Sequence, residues 1–347
     1  KPYKKKISKE YLMSHQIINV GLIGLGRIGK MHAKNIYEKL PLLNLKSIAD
    51  PKPDLEFIQN LGGTTLHEDA QEIISDKNID AVIISSPTPT HFNLIKKCLR
   101  NNKHVFCEKP ISFSENEINE IIDLTVIQKS FVQVGLNRRF DEEFILLKEK
   151  IKEGLIGKTQ IIHITNHDNT IPRFKFLKSS GGMLFDLCIH DFDMVTFITG
   201  EKIKEIYVNG SVFIEPRLKD VNDIDNAIIT LELTNGVLCT IDSSRQTHFG
   251  YDQRIEVFGS KGMISIDNKP NQLFLLSDES RTIKSKIKKS FVERYESSYI
   301  NELEHFYKCV ISDKSPIVGP ENILDAIHIA TAGTKSLKTN RPIMVKR

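Results

Sequence analysis

A short apolar strand that runs straight into spaced glycines and then into a helix leaves a chain few folds to choose from. Here Ile17-Ile18-Asn19-Val20-Gly21-Leu22-Ile23 leads into Gly24-Leu25-Gly26-Arg27-Ile28-Gly29, and the spacing predicts a helix over Lys30 to Leu40 with Met31, Ile36 and Leu40 facing a core. In such a turn Gly24 permits the sharp bend and Gly26 lets the backbone approach a pyrophosphate. Gly29 lets the helix pack close on the strand, and the helix start offers N–H groups to the anion. Arg27 and Ile28 lie in the same turn and are counted with it as cofactor contacts. Glycines alone are weak evidence. A second strand, Leu45-Lys46-Ser47-Ile48-Ala49, ends in Asp50 about 20 residues past the last glycine, where a carboxylate accepts from both adenosine ribose hydroxyls. Such a carboxylate repels a 2′-phosphate, so NAD is expected, while Lys52 two residues on keeps NADP in reserve.

Strand and helix signals keep alternating. Ile79 to Ile84 reads as a buried parallel strand, followed by the loop Ser85-Ser86-Pro87-Thr88-Pro89-Thr90-His91 and a helix with Thr90 as its N-cap. Val105-Phe106-Cys107 precedes Glu108-Lys109-Pro110, a helix from Ser114, and Phe131-Val132-Gln133-Val134. These loops leave the carboxyl ends of strands, where open α/β sheets bind ligands, so Ser86, Pro87, Thr88, His91, Glu108 and Lys109 join the expected cofactor contacts. For His91, at a helix start, capping and packing compete with that role.

From Phe140 the pattern changes to strands joined by turns such as Asn235-Gly236 and Gly259-Ser260-Lys261-Gly262, which predicts a mostly antiparallel sheet with a helical cover. Alternating Val208, Ile229, Leu231, Leu233, Leu238 and Ile241 supply either sheet face. The expected organisation is a basic extension over 1–14, a cofactor domain over 15–138 and a substrate and assembly domain over 139–347, with the last helix packing back on the first domain. A chain of 347 residues has room for both cores. The charge of +4 draws on Lys1, Lys4, Lys5, Lys6 and Lys9, not on a broad basic face, so no nucleic-acid partner is expected. Five cysteines without C-x-x-C spacing favour reduced thiols in the cytoplasm, and no apolar run is long enough for a membrane span.

The segment Gly181-Gly182-Met183-Leu184-Phe185-Asp186-Leu187-Cys188-Ile189-His190-Asp191-Phe192-Asp193 carries the chemistry. Asp186 and His190, four apart, share one face of a predicted helix, so the carboxylate orients the imidazole or shares its proton. Asp191 and Asp193 would make a metal site with them, but they lie off that face, and a lysine can supply the electrophile, so no metal is expected.

The glycine-rich start, Ser86-Pro87-Thr88-Pro89-Thr90-His91, Glu108-Lys109-Pro110, Asn137-Arg138-Arg139-Phe140 and Gly181 to Asp193 stand in the order of the glucose–fructose oxidoreductase and inositol dehydrogenase family, which the chain resembles from Ile17 to Val345. The resemblance implies an N-terminal α/β Rossmann domain, an α+β C-terminal domain with a large, mostly antiparallel sheet, and homo-oligomers, dimers or tetramers, built on that sheet. It implies Lys109, Asp186 and His190 as the catalytic group. It also places Lys109, Asn166, His167, Asp168, Arg173, Asp186 and His190 around a small polyhydroxy substrate, although His167 and Asn169 replace the usual arginine and proline flanking the aspartate. The implied activity is NAD-dependent oxidation of a cyclitol hydroxyl, myo-inositol to its 2-keto form. The alternatives are an NAD(P)-dependent sugar or amino-sugar dehydrogenase and a non-catalytic NAD-binding regulator.

Overall fold

The computed structural model describes residues 15–346, so the expected basic extension over 1–14 lies outside the described residues. The described chain divides into two compact units: residues 15–137 with 299–324, and residues 138–298 with 325–346.

In the first unit, β1 (Ile18–Ile23), β2 (Leu43–Ala49), β3 (Thr65–His67), β4 (Ala81–Ile84), β5 (His104–Glu108) and β6 (Val132–Gly135) form one sheet ordered β3-β2-β1-β4-β5-β6. Every neighbouring pair is parallel. Strand order reverses between β1 and β4, which puts the ligand crevice of a doubly wound sheet at the carboxyl ends of these two strands. Helix α1 (Arg27–Lys39) begins three residues before the predicted start, since its first turn carries no apolar period to mark it. Val20, Leu22, Ile48, Ile83 and Phe106 form a core with Leu303, Phe306 and Tyr307 from the returning segment. A fully buried side chain of this kind is worth about 1.5–3 kcal/mol, so three of them anchor that segment firmly.

In the second unit, β7 (Thr159–His167), β8 (Ile203–Ser211), β9 (Asn226–Leu233), β10 (Leu238–Ser244), β11 (Asp252–Gly259) and β12 (Gly262–Ile266) build a sheet ordered β12-β11-β7-β10-β9-β8-β15. β13 (Leu275–Ser277) and β14 (Thr282–Lys284) form a separate hairpin, and β15 is Ile343–Met344. All pairs are antiparallel except β7 with β10. Strand alternation gives the sheet two unlike faces. Ile162, Ile164 and Asn166 of β7 are buried, whereas Ile161, paired with Leu238 and Phe258, lies in an exposed apolar row that Met263 extends. Val208, Ile229, Leu231, Leu233 and Ile241 fall on the buried face and Leu238 on the exposed one.

Candidate functional site

Each glycine of the first turn meets a different constraint. Gly24 has φ +94°, and a Cβ there would lie 2.5 Å from the Ser86 nitrogen. At Gly29 a Cβ would fall 2.0 Å from the Gly24 carbonyl oxygen, so only glycine lets α1 pack this close to the strand end. At Gly26, by contrast, a Cβ would meet nothing within 4 Å. The backbone there opens onto free space at the start of α1, which suits a pyrophosphate approaching helix N–H groups. Arg27 is exposed and Ile28 half-buried beside it. Asp50 closes the far side of the turn: its carboxylate accepts from the Leu25 N–H at 2.6 Å and from the Lys52 N–H at 2.8 Å. Two lone pairs remain for ribose hydroxyls. Lys52 itself is exposed.

After β4, Thr88–Thr90 makes one turn of 3-10 helix ahead of α2 (His91–Arg100). Thr90 stands at the predicted N-cap position of α2, but its hydroxyl donates to the Pro87 carbonyl at 2.8 Å and makes no capping hydrogen bond, since the preceding 3-10 turn already supplies the helix entry. His91 is buried, with Nδ1 2.9 Å from the Pro110 carbonyl oxygen and Nε2 2.7 Å from that of Ser86. Burial pushes its pKa down against the pull of the two carbonyls. The neutral imidazole carries one N–H, so it donates to one of these carbonyls and packs against the other. Lys109 stands between Glu108 and Pro110, half-buried.

In the second unit Asp186 ends the four-residue helix α4 (Met183–Asp186). His190 sits in the first turn of α5 (Ile189–Thr199). The predicted single helix is thus broken at Leu187–Cys188. The entry is fixed by Gly182 at φ +87° and by Asp223, which accepts from the Met183 N–H at 2.8 Å. Asp186 accepts from Arg245 at 3.0 Å. Arg245 is fully buried, and its Nε and second terminal nitrogen have no hydrogen-bond partner. Burial works against the Arg245 charge, but Asp186, Asp223 and Asp168 raise its pKa. The arginines of the Asn137-Arg138-Arg139-Phe140 motif hold α5: Arg138 donates to Asp191 at 2.6 Å and Arg139 grips Asp193 with contacts of 2.7–3.1 Å. Burial pushes both aspartates up while the arginines pull them down.

Asn166 is buried, donating to Asp191 and accepting from Gln253. His167 faces the opposite side of the sheet, between Asp242 and Asp252, because alternation along β7 separates neighbours. Asp168 is half-buried and Arg173 exposed, ahead of the short helix α3 (Phe174–Leu177). Arg245 escaped the sequence reading, yet it continues the inward series Ile241, Ser243 of β10, and a charge on a buried face is itself a signal. Among the described residues, one set of side chains has metal-ligand spacing, His32, Glu108 and Glu302, in the first unit. No helix among them is long and apolar enough to cross a membrane.

Residues 18–136 match the model of an oxidoreductase family with an NAD-binding Rossmann fold, and residues 144–265 match the GFO/IDH/MocA C-terminal domain. The chain is 39% identical to myo-inositol 2-dehydrogenase of Thermotoga maritima, over 95% of this chain and 99% of that one. It is 34% identical to inositol 2-dehydrogenase of Rhizobium meliloti, over 94% and 99%. A crystal structure of scyllo-inositol dehydrogenase from Lactobacillus casei with bound NAD(H) and scyllo-inositol superposes with a TM-score of 0.88 at 27% identity, covering 95% of this chain and 99% of that one. With both domains matched and the glycine cradle in place, the chain belongs to the GFO/IDH/MocA family of NAD-dependent oxidoreductases.

Proposed function

We propose that the protein oxidises a secondary hydroxyl of a cyclitol, myo-inositol to its 2-keto form, with Lys109, Asp186 and His190 as the catalytic group. The observation that carries this reading is the likeness to myo-inositol 2-dehydrogenase of Thermotoga maritima along nearly the whole of both chains. Gly24, Gly26, Arg27, Ile28, Gly29, Asp50, Ser86, Pro87, Thr88, Glu108 and Lys109 would hold the cofactor. NAD, when bound, supplies the hydride acceptor. His190 takes the hydroxyl proton as general base, and Lys109 donates a hydrogen bond to the same oxygen as its charge develops. Asp186, tied to Arg245 at 3.0 Å, orients His190 and stabilises the imidazolium it becomes. A polyol suits such a site, because each hydroxyl taken from water needs a partner among Asp168, Arg173 and the catalytic groups, which the buried Asn166 would brace through Asp191. Assembly into homo-oligomers would cover the exposed row Ile161, Leu238, Phe258 and Met263.

Lys109→Ala and His190→Ala are expected to fold and bind NAD while turnover on myo-inositol falls about 100-fold or more, the scale of lost acid–base assistance. Cofactor titration and steady-state rates check this. Wild-type turnover in either variant removes that residue from the catalytic group. A panel of inositols and aldoses with NAD decides between a cyclitol and a sugar.

A further inference from the structure

At the end of β5 the first unit brings a half-buried and a fully buried acidic side chain together, with no arginine or lysine bonded to them among the described residues. Glu302, on α6 (Glu296–Ser312), is fully buried, and neither carboxylate oxygen has a hydrogen-bond partner. Glu108, at the carboxyl end of β5, and His32, on α1, offer ligand atoms that lie with those of Glu302 within 4.8 Å of one another. His32 is also fully buried, its Nε2 is 2.7 Å from Glu108 Oε1, and the rings of Phe106 and Tyr299 pack edge-on against its imidazole. From β6, the buried Gln133 donates to the Glu302 main-chain carbonyl at 2.7 Å. Also from β6, Gly135 pairs with Glu108, and a Cβ there would come within 3.1 Å of the Glu108 carboxylate. The carboxylate is thereby hemmed in.

Two carboxylates this close in an apolar setting do not both ionise, since each pays a desolvation cost and repels the other. We propose that Glu302 enters the fold as a neutral carboxylic acid, so that His32, Glu108 and Glu302 form one buried clasp that positions the turn carrying Lys109. Burial first, and Glu108 second, push the Glu302 carboxyl well above the usual range, in agreement with this geometry. The same three side chains could instead hold a divalent cation. Against that, two ligands of one tetrahedral zinc stand about 3.3 Å apart given metal–ligand distances of about 2.0–2.1 Å. The observed 2.7 Å is a direct imidazole–carboxylate hydrogen bond. Glu302 and His32 are positioning residues here. Their effect on turnover rests on the proposed role of Lys109, whereas the proton itself does not.

The decisive measurement is the infrared difference spectrum of wild type minus Glu302→Gln in heavy water at neutral pH, expected to contain the carbonyl band of a protonated carboxyl group. Glu302→Gln, a neutral isostere, is expected to keep wild-type turnover. Glu302→Ala, which releases the clasp, is expected to lose up to about 100-fold, the scale of a 1 Å misplacement. Wild type must take up a proton on folding above the ordinary glutamate range, so its stability relative to Glu302→Gln falls tenfold in equilibrium constant per pH unit until the folded value is passed. Should Glu302→Gln not fold, carboxyl-carbon NMR of wild type labelled in glutamate reads the same proton as one resonance that fails to titrate with the rest. Absence of both the band and that resonance overturns the proposal, as does one equivalent of tightly bound metal in purified wild type. If Lys109→Ala proves fully active while the band is present, the catalytic reading fails and the neutral Glu302 stands.

Discussion

In the second unit Asp141, Asp186, Asp191 and Asp193 each face a guanidinium, from Arg294 at 2.9 Å, Arg245 at 3.0 Å, Arg138 at 2.6 Å and Arg139 at 2.7 Å. In the first unit the ligand atoms of the buried Glu302 lie within 4.8 Å of those of another carboxylate and an imidazole. Arginine keeps its charge at any accessible pH, so the second unit holds its acids as fixed ion pairs that orient α5 and the segment bearing Asp186 and His190. A carboxyl pair that takes a proton instead responds to pH. The difference separates a scaffold whose charges are constant from one whose charge depends on a single proton.

The sharpest way to break that contrast is to remove one guanidinium. Arg138→Met leaves Asp191, fully buried, with Asn166 as its remaining bonded side chain, and losing one partner of a buried pair costs about 3–5 kcal/mol. Chemical denaturation should show that loss, and adding Asp191→Asn should restore part of it because the stranded charge is gone. A cost near zero would mean that the pair does not hold α5.

A smaller effect tests the exception within the second unit. His167 uses an imidazole where its neighbours use arginine: burial lowers its pKa, but hydrogen bonds to Asp242 and Asp252 outweigh that and raise it to about 9. A raised histidine value adds stability in full below about pH 6.5 and loses it as pH climbs through about 9. Asp242 is 42% exposed, so solvent screening reduces the contribution at neutral pH to about 1–2 kcal/mol. Melting temperature followed from pH 6.5 to 9.5 should fall in wild type and stay level in His167→Gln. Equal slopes would show that folding does not raise the histidine's pKa.

Local signals carried much of the architecture. The glycine turn, the parallel alternation and the hairpin turns are patterns of adjacent residues, so β1, β2, β4 to β6 and most of the large sheet could be read directly, whereas Thr65–His67 and Ile343–Met344 are too short to show a period. Period-two alternation would have sent His167 to the face opposite Asn166 and drawn attention to Arg245. Glu302 lies between Tyr299 and Phe306 at helical spacing, on a buried stripe, which marks it as unusual. What no local pattern holds is the meeting of His32, Glu108 and Glu302, since they come from three distant elements. The start of α4 was hidden for a related reason: it is set by Asp223, far along the chain, which accepts from the Met183 N–H.

The subtlest test concerns Asp50, an acid of the first unit held by backbone N–H groups and not by a cation. Its proposed role is to accept from the adenosine ribose, and it also accepts from Leu25 within the glycine turn at 2.6 Å. Asp50→Ser keeps one acceptor but removes the charge, so NAD should lose about 10-fold in kcat/KM, one charge-assisted hydrogen bond, while NADP gains relative to it. Part of the NAD loss will come from a looser turn, which weakens both cofactors alike. The ratio of kcat/KM for NADP over NAD cancels that shared part and leaves the effect of charge at the ribose. Exposed Lys52 adds little, because a solvated ion pair is worth about 0–1 kcal/mol. A ratio unchanged between wild type and Asp50→Ser would confine Asp50 to bracing the turn, and the preference for NAD would then have to come from elsewhere in the loop.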